Sequence, residues 1–403
     1  MAKSVDNIFE QFLASKSLFK NKRVLQANYT PTTIAHREDE ISLIAKTLAP
    51  ALKCDRPSNL FIYGKTGTGK TVSVRYVVNS LKQIAQEKNI PLKPIYINCK
   101  LKKVADTEYR IIAQIAREFG KDIPATGLPT EEIYNIFYQV LDEKAQIVLL
   151  VLDEIDQLVQ KTGDEILYNL TRLNTELHQA QICLVGISND VTFTDTLDPR
   201  VKSSLSEEEM IFPPYNATKL QKILENRAKD AFNDDSIENG VLEKCAAFAA
   251  REHGDARRAL ELLRVAGELA ERDNVPKVAV SHLDLAEDKI ERDRIVDIVA
   301  AQPKQFQVAL FVILRLYERR KEMLFTGEVY ENYKNLCQKV QLRPLTQRRI
   351  SDIIQEMDML GIINAKIVSK GRYGRSRDIK VSLPISVVEN ILTTLDEKLG
   401  VEL

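Results

Sequence analysis

At 403 residues, 44% apolar and 28% charged, the chain is long enough for two or three domains that each bury a core. Lys/Arg and Asp/Glu balance at 57 each, which excludes a polycation that coats nucleic acid through bulk charge. The balance is uneven: residues 303–403 carry 17 Lys/Arg against 12 Asp/Glu, a basic end on an otherwise acidic body.

The first residues, MAKSVDNIFEQF, lack the apolar core of a signal peptide. Residues 1–28 read as a short amphipathic helix and a basic turn (Lys16, Lys20, Lys22, Arg23) leading to Tyr29-Thr30-Pro31. Strands then alternate with helical periods. Asn59–Tyr63, Pro94–Asn98, Ile147–Leu152 and Ile182–Ile187 are short apolar runs, with Met210–Phe212 as a shorter fifth. That order predicts a parallel sheet with helices on both faces. The most apolar stretch, Ile147–Leu152, is far too short to cross a bilayer, so no membrane partner is expected. Cys54, Cys99, Cys183, Cys245 and Cys337 are widely spaced, without a C-x-x-C pair. A reducing, cytoplasmic setting follows as the expectation.

Pro213-Pro214 ends the alternation, and Lys219 to about Ile290 is helical only. After Gln302-Pro303 come helical segments at 305–321, 326–340 and 346–359. Strands Ile362–Ser369 and Asp378–Leu383 then flank Lys370-Gly371-Arg372-Tyr373-Gly374-Arg375. The expected domains are an α/β domain at 1–212 with an arm at 1–28, a small helical domain at 213–302, and helices with a hairpin at 303–403.

Gly64-Lys65-Thr66-Gly67-Thr68-Gly69-Lys70-Thr71 is a phosphate-binding loop of the form G-x-x-x-x-G-K-[ST], between a strand and a helix. Glycines let backbone N–H groups curl around phosphate oxygens, and the following helix adds roughly half a positive charge. Lys70 reaches for the β- and γ-phosphates, and the Thr71 hydroxyl for Mg²⁺. The strand Val148–Leu152 ends in Asp153-Glu154. Asp153 suits magnesium through water, and Glu154 suits the polarisation of an attacking water. The alternative for this pair is a plain helix cap. ATP or ADP with Mg²⁺ is the expected cofactor.

With these motifs in place, the chain resembles the archaeal origin-recognition initiators of the AAA+ family, related to eukaryotic origin-recognition and helicase-loading proteins. The resemblance runs from Tyr29 to about Leu383. It is carried by Tyr63–Thr71, Leu152-Asp153-Glu154-Ile155-Asp156, Gly186-Ile187-Ser188-Asn189, Leu197-Asp198-Pro199-Arg200-Val201, Phe212-Pro213-Pro214-Tyr215 and Gly254-Asp255-Ala256-Arg257. It implies an α/β P-loop ATPase domain, a small α-helical lid and a C-terminal winged helix.

By the resemblance, Asn189 senses the γ-phosphate, with a turn-forming Asn as the alternative. Arg257 is the lid arginine, with Arg258 as its competitor. The resemblance places Tyr29, Tyr215, Arg227 and the loop through Val72 against the nucleotide; core packing is the other reading of Tyr215. Arg200 resembles an arginine finger offered to a neighbouring subunit on self-assembly, against a surface arginine paired with Asp198. Ser203-Ser204 stands where many AAA+ relatives carry a second arginine.

Thr346-Gln347-Arg348-Arg349 opens a helix whose Ile350, Ile353, Ile354, Met357 and Leu360 follow helical spacing until Gly361 stops it. That leaves a polar, cationic first turn suited to a major groove. The hairpin tip carries Lys370, Arg372, Arg375 and Arg377, suited to backbone or minor-groove contact. A charged hairpin that docks protein is the competing reading. Lys121–Glu131 is either a DNA-contacting insertion, as the initiators carry, or a surface loop.

The resemblance implies a replication initiator that binds double-stranded origin DNA beside the nucleoid. Its ATP would be hydrolysed slowly, and its partner would be the minichromosome maintenance helicase. An ATP-switched transcription regulator and a clamp-loader-like remodeller remain as alternatives.

Overall fold

A computed structural model describes residues 17–26, 29–31, 33–100, 107–121, 123–124, 128–205, 207–320, 324–369 and 375–400. The expected N-terminal amphipathic helix, part of 121–131, and Lys370 and Arg372 lie outside these residues. The chain forms two compact units, Met1–Leu283 and Asp284–Leu403.

The first unit is built on a five-stranded parallel sheet. Its elements are α1 (Glu38–Leu48), β1 (Asn59–Tyr63), α2 (Lys70–Glu87), β2 (Leu92–Asn98), α3 (Glu108–Glu118), α4 (Thr130–Leu141), β3 (Ile147–Asp153), α5 (Ile155–Thr162), α6 (Glu165–Arg172), β4 (Gln181–Ser188), α7 (Pro199–Leu205) and β5 (Glu207–Ile211). The strand order is β2-β3-β4-β1-β5. Period-two alternation divides the apolar side chains between two cores. Phe61, Val148, Leu150 and Leu152 face Ile111, Ile115, Ile133 and Phe137. Leu60, Ile62, Leu149 and Val151 face Ile44, Leu48, Val74, Val77 and Leu81. All of β3 is buried, so its sequence is a continuous apolar run rather than an alternating one. Each such side chain contributes about 1.5–3 kcal/mol when buried.

Three helices follow in the same unit: α8 (Ala217–Ala231), α9 (Val241–Arg251) and α10 (Ala256–Arg272). The Asn216 side chain caps α8 by accepting the Lys219 N–H at 2.9 Å. Residues from Ser17 onward lie across these helices. Phe19 stacks on Phe232 with ring centroids 4.6 Å apart. A Cβ at Gly267 would stand 2.5 Å from the Phe19 ring, so the approach requires glycine there. Lys22, from the expected basic turn, pairs with Glu268 at 2.6 Å.

Helix α11 (Val280–Ala301) leads into the second unit, which contains α12 (Lys304–Arg320), β6 (Leu324–Phe325), α13 (Thr326–Lys339), α14 (Gln347–Met359), β7 (Ile363–Ser369), β8 (Arg375–Val381) and α15 (Ile385–Leu399). Its antiparallel sheet has the order β6-β8-β7. Phe306, Phe311, Tyr333, Ile354, Ile379 and Ile391 belong to one core. Strand β8 begins three residues earlier than its apolar pattern suggests, because the ladder with β7 continues to the Ser369–Arg375 pair. Arg375 and Arg377 are therefore strand residues, a correction to their expected place at the tip. Leu360 is also corrected: it is the C-cap of α14 and is 39% exposed. Gly361 takes the left-handed turn that ends the helix.

Among the described residues, no helix is long and apolar enough to cross a membrane.

Candidate functional site

The strand register brings the site to one edge of the sheet. Asn98 pairs with Asp153, Asp153 with Ile187, and Tyr63 with Ser188, so β1 to β4 end at one level. From β1 the chain crosses to β2 at the far edge, leaving a crevice beyond the carboxyl ends where ligands of open α/β sheets sit.

The loop from Gly64 enters α2 through Gly69, whose φ of 92° is open to glycine. Lys70 is 5% exposed. Its Nζ donates to the carbonyls of Gly64 and Lys65 and to Asn189 Oδ1 at 3.0 Å. Burial lowers its pKa to about 8, against the pull of nearby Asp153. Thr71 Oγ1 donates to Asp153 at 3.0 Å and 3.3 Å, and Tyr96 donates to Asp153 Oδ2. Burial, and then the Asp153 charge, raise the Tyr96 phenol well above its ordinary range. Glu154 sits in the left-handed region at φ 57°, and Lys100 lies 3.6 Å from its carboxylate. Buried Asp156 accepts from Ser188 Oγ at 3.0 Å and from the Asn189 N–H at 3.3 Å, fixing the tip of β4.

Lys70, Thr71, Tyr96, Asp153, Glu154 and Asn189 face a cavity of about 450 Å³, lined also by the arm and the helical segment. Arg257 lines it, whereas Arg258 pairs with Glu252 at 3.0 Å. The Asp255 carboxylate caps α10, accepting from the Arg257 and Arg258 N–H groups at 2.7 Å and 3.3 Å. That turn docks on the phosphate loop. The Ala256 N–H donates to the Gly67 carbonyl at 3.2 Å, and a Cβ at Gly67 would stand 1.6 Å from Asp255 Oδ1. Tyr215 is 5% exposed yet lines the cavity, and a Cβ at Gly69 would stand 2.7 Å from its hydroxyl. The Arg227 guanidinium lies 4.7 Å from the Tyr29 ring centroid, and burial lowers its pKa.

The residues fit a magnesium nucleotide. Arg227 Nη1 is buried without a hydrogen-bond partner among the described residues, leaving a donor for an incoming ligand. The Thr71 hydroxyl and Asp153 carboxylate are hard oxygen donors already in contact, as Mg²⁺ prefers.

The expected site residues are thus largely gathered. Tyr29, Gly67, Thr68, Gly69, Lys70, Thr71, Val72, Asp153, Glu154, Asn189, Tyr215, Arg227 and Arg257 line the cavity. Gly64 and Lys65 stand behind Lys70 as carbonyl acceptors, and Thr66 is absent from the lining. Arg200 is elsewhere: its side chain is 86% exposed and pairs with Asp198 at 3.2 Å.

Two structural residues escaped the motifs. Arg37 is 1% exposed, stacks 4.1 Å from the Tyr215 centroid, and donates to the carbonyls of Thr68 and Pro213. A lone arginine directly before Glu38-Asp39-Glu40 is the signal it left. Tyr96 left another, two residues before Asn98 and so on the same strand face.

In the second unit, Thr346, Gln347, Arg348 and Arg349 are all exposed, while Ile350, Ile353, Ile354 and Met357 behind them are buried. Arg377 donates to Gln355 Oε1 at 2.9 Å, tying β8 to α14.

Comparison with known proteins agrees with this architecture. The AAA domain model matches residues 54–191, the Cdc6 AAA+ ATPase-type lid domain 221–288, and the CDC6 C-terminal winged helix domain 297–391. The ORC1-type DNA replication protein of Thermococcus onnurineus is 52% identical over 391 residues, 96% of this chain and 94% of its own. ORC1-type DNA replication protein 1 of Methanosarcina mazei is 49% identical over 97% of this chain and 94% of its own. The Aeropyrum pernix ORC1 protein, solved in complex with DNA, has a TM-score of 0.79 at 44% identity, over 93% of this chain and 97% of that one. Matched by models for sheet, lid and winged helix, and about half identical to such relatives along nearly its whole length, this chain belongs to the ORC1-type DNA replication proteins of the AAA+ ATPase family.

Proposed function

We propose that this protein is an ATP-controlled replication initiator that binds double-stranded origin DNA in the cytoplasm, at the nucleoid, and helps load the minichromosome maintenance helicase. Its segments work as an ATPase domain (1–212), a lid (213–302) and a winged helix (303–403). Lys70 neutralises the β- and γ-phosphates, and Thr71 and, through water, Asp153 would hold the magnesium that offsets phosphate charge. Glu154 polarises water, Asn189 and Arg257 read the γ-phosphate, and Tyr29, Tyr215 and Arg227 hold the rest of the nucleotide. Hydrolysis is slow and serves as a switch. Arg200 completes a neighbour's site when copies assemble on DNA.

The observation that carries the DNA reading is the first turn of α14. Thr346, Gln347, Arg348 and Arg349 are exposed on a helix whose opposite face is locked in the core, in a chain 44% identical to a protein solved on DNA. A rigid helix presenting two arginines suits bidentate readout of guanine, worth about 1–3 kcal/mol for each pair. Arg375 and Arg377 on β8, with Lys370 and Arg372, supply phosphate contacts.

The test is titration of origin and scrambled duplexes, with and without ATP. Wild type should prefer origin DNA, and R348A/R349A should lose that preference while retaining random binding. A wild type indifferent to sequence would return the winged helix to a protein-docking role.

A further inference from the structure

We propose that Tyr96 is a positioning residue for magnesium: its hydroxyl holds the Asp153 carboxylate in its magnesium-binding orientation, and Arg75 holds the phenol in place. The proposal rests on the magnesium-nucleotide reading above.

Among the described residues, the Asp153 carboxylate has three donors of different origin. Thr71 Oγ1 reaches both oxygens, at 3.0 Å to Oδ2 and 3.3 Å to Oδ1. The Glu154 N–H donates to Oδ1 at 3.1 Å. Tyr96 donates to Oδ2 from β2, whose register sets Tyr96 opposite Val151 and Asn98 opposite Asp153. When a cation arrives, a lone pair of the Thr71 oxygen can meet it while the hydrogen stays on Asp153, so that bond ties the carboxylate only to another group of the same ion site. The Glu154 N–H belongs to the next residue of the same turn and moves with it. Tyr96 alone among these donors stands on a neighbouring strand of the sheet, so it fixes the carboxylate against a separate part of the frame.

The phenol is itself restrained. The Arg75 guanidinium stands 4.1 Å from the Tyr96 ring centroid. Arg75 follows Thr71 by one helical turn on α2, so one helix face presents the metal-binding hydroxyl and the cation that clamps the tyrosine. Both Arg75 and Tyr96 line the cavity. Partners that orient a metal-ligating side chain change metal affinity by about 10–100-fold when removed.

The experiment titrates a fluorescent ATP analogue against the full chain in EDTA, then across a magnesium series, for wild type, Tyr96→Phe and Arg75→Met. Tyr96→Phe keeps the ring and removes the donor. It should match wild type in EDTA and need about tenfold more magnesium to reach its half-point. Arg75→Met should shift the half-point in the same direction by a smaller factor. A wild-type half-point in Tyr96→Phe overturns the proposal, as does an equal loss in EDTA and magnesium, which would make Tyr96 mere packing. If circular dichroism shows that Tyr96→Phe does not fold, an unshifted half-point in Arg75→Met overturns it instead. A wild type that binds nucleotide without regard to magnesium would sink the underlying reading as well, a result distinct from failure of the variants.

Discussion

Lys70 combines near-complete burial with a pKa of about 8, and that pairing makes nucleotide affinity sensitive to pH. An anionic phosphate favours the charged ammonium, so binding should draw in a proton wherever the empty site has lost it. In EDTA, affinity should be flat below about pH 7 and fall as pH rises through 8, approaching about tenfold per unit above it. Calorimetry at pH 8.5 in two buffers of different ionisation enthalpy should show net proton uptake; none would mean that Lys70 stays charged without ligand. Lys70→Ala should abolish nucleotide binding outright. Glu154 supplies a different test. It lines the cavity together with Asp153, and Gln keeps its shape without the carboxylate. Glu154→Gln should bind ATP normally and turn over about tenfold more slowly or worse, read by single-turnover hydrolysis.

At the scale of elements, Asp255 is the joint between lid and phosphate loop, because it caps α10 with two N–H groups and abuts Gly67. Asp255→Ala should lower the stability of the first unit by about 1 kcal/mol, and Asp255→Asn should restore most of it, both by urea denaturation. The strands were legible in the sequence because short apolar runs have few alternatives in a buried parallel sheet. Their ends were not: β2 starts at Leu92 and β8 at Arg375 because backbone pairing, rather than side-chain polarity, carries them on. Helix α15 left a weak signal. Its β-branched residues suit a strand as well, and it is helical because Val387, Val388, Ile391, Leu392 and Leu395 bury one face. In the site, residues inside motifs were legible by spacing. At the lid, Arg257 lines the cavity and Arg258 pairs with Glu252, a contact that no local pattern specifies.

For the whole molecule, a net charge of zero conceals the division of labour, since the basic excess belongs to residues 303–403. Salt should therefore weaken DNA binding, and each phosphate contact removed from the hairpin should lower the salt slope by about 0.9. The proposed role of Arg200 in assembly is tested at this scale. Because Arg200 is exposed and absent from the cavity lining, Arg200→Ala should leave ATP affinity intact and lower hydrolysis only at concentrations where copies associate. An equal loss in dilute protein would place it in its own subunit's fold. The bond from the Ala256 N–H to the Gly67 carbonyl also gives the molecule a built-in gauge. That amide sits in the opening turn of α10, where intrahelical partners are lacking, so its protection from deuterium comes from the phosphate loop alone. Its exchange rate therefore reports, at one backbone proton, any parting of this turn from the phosphate loop.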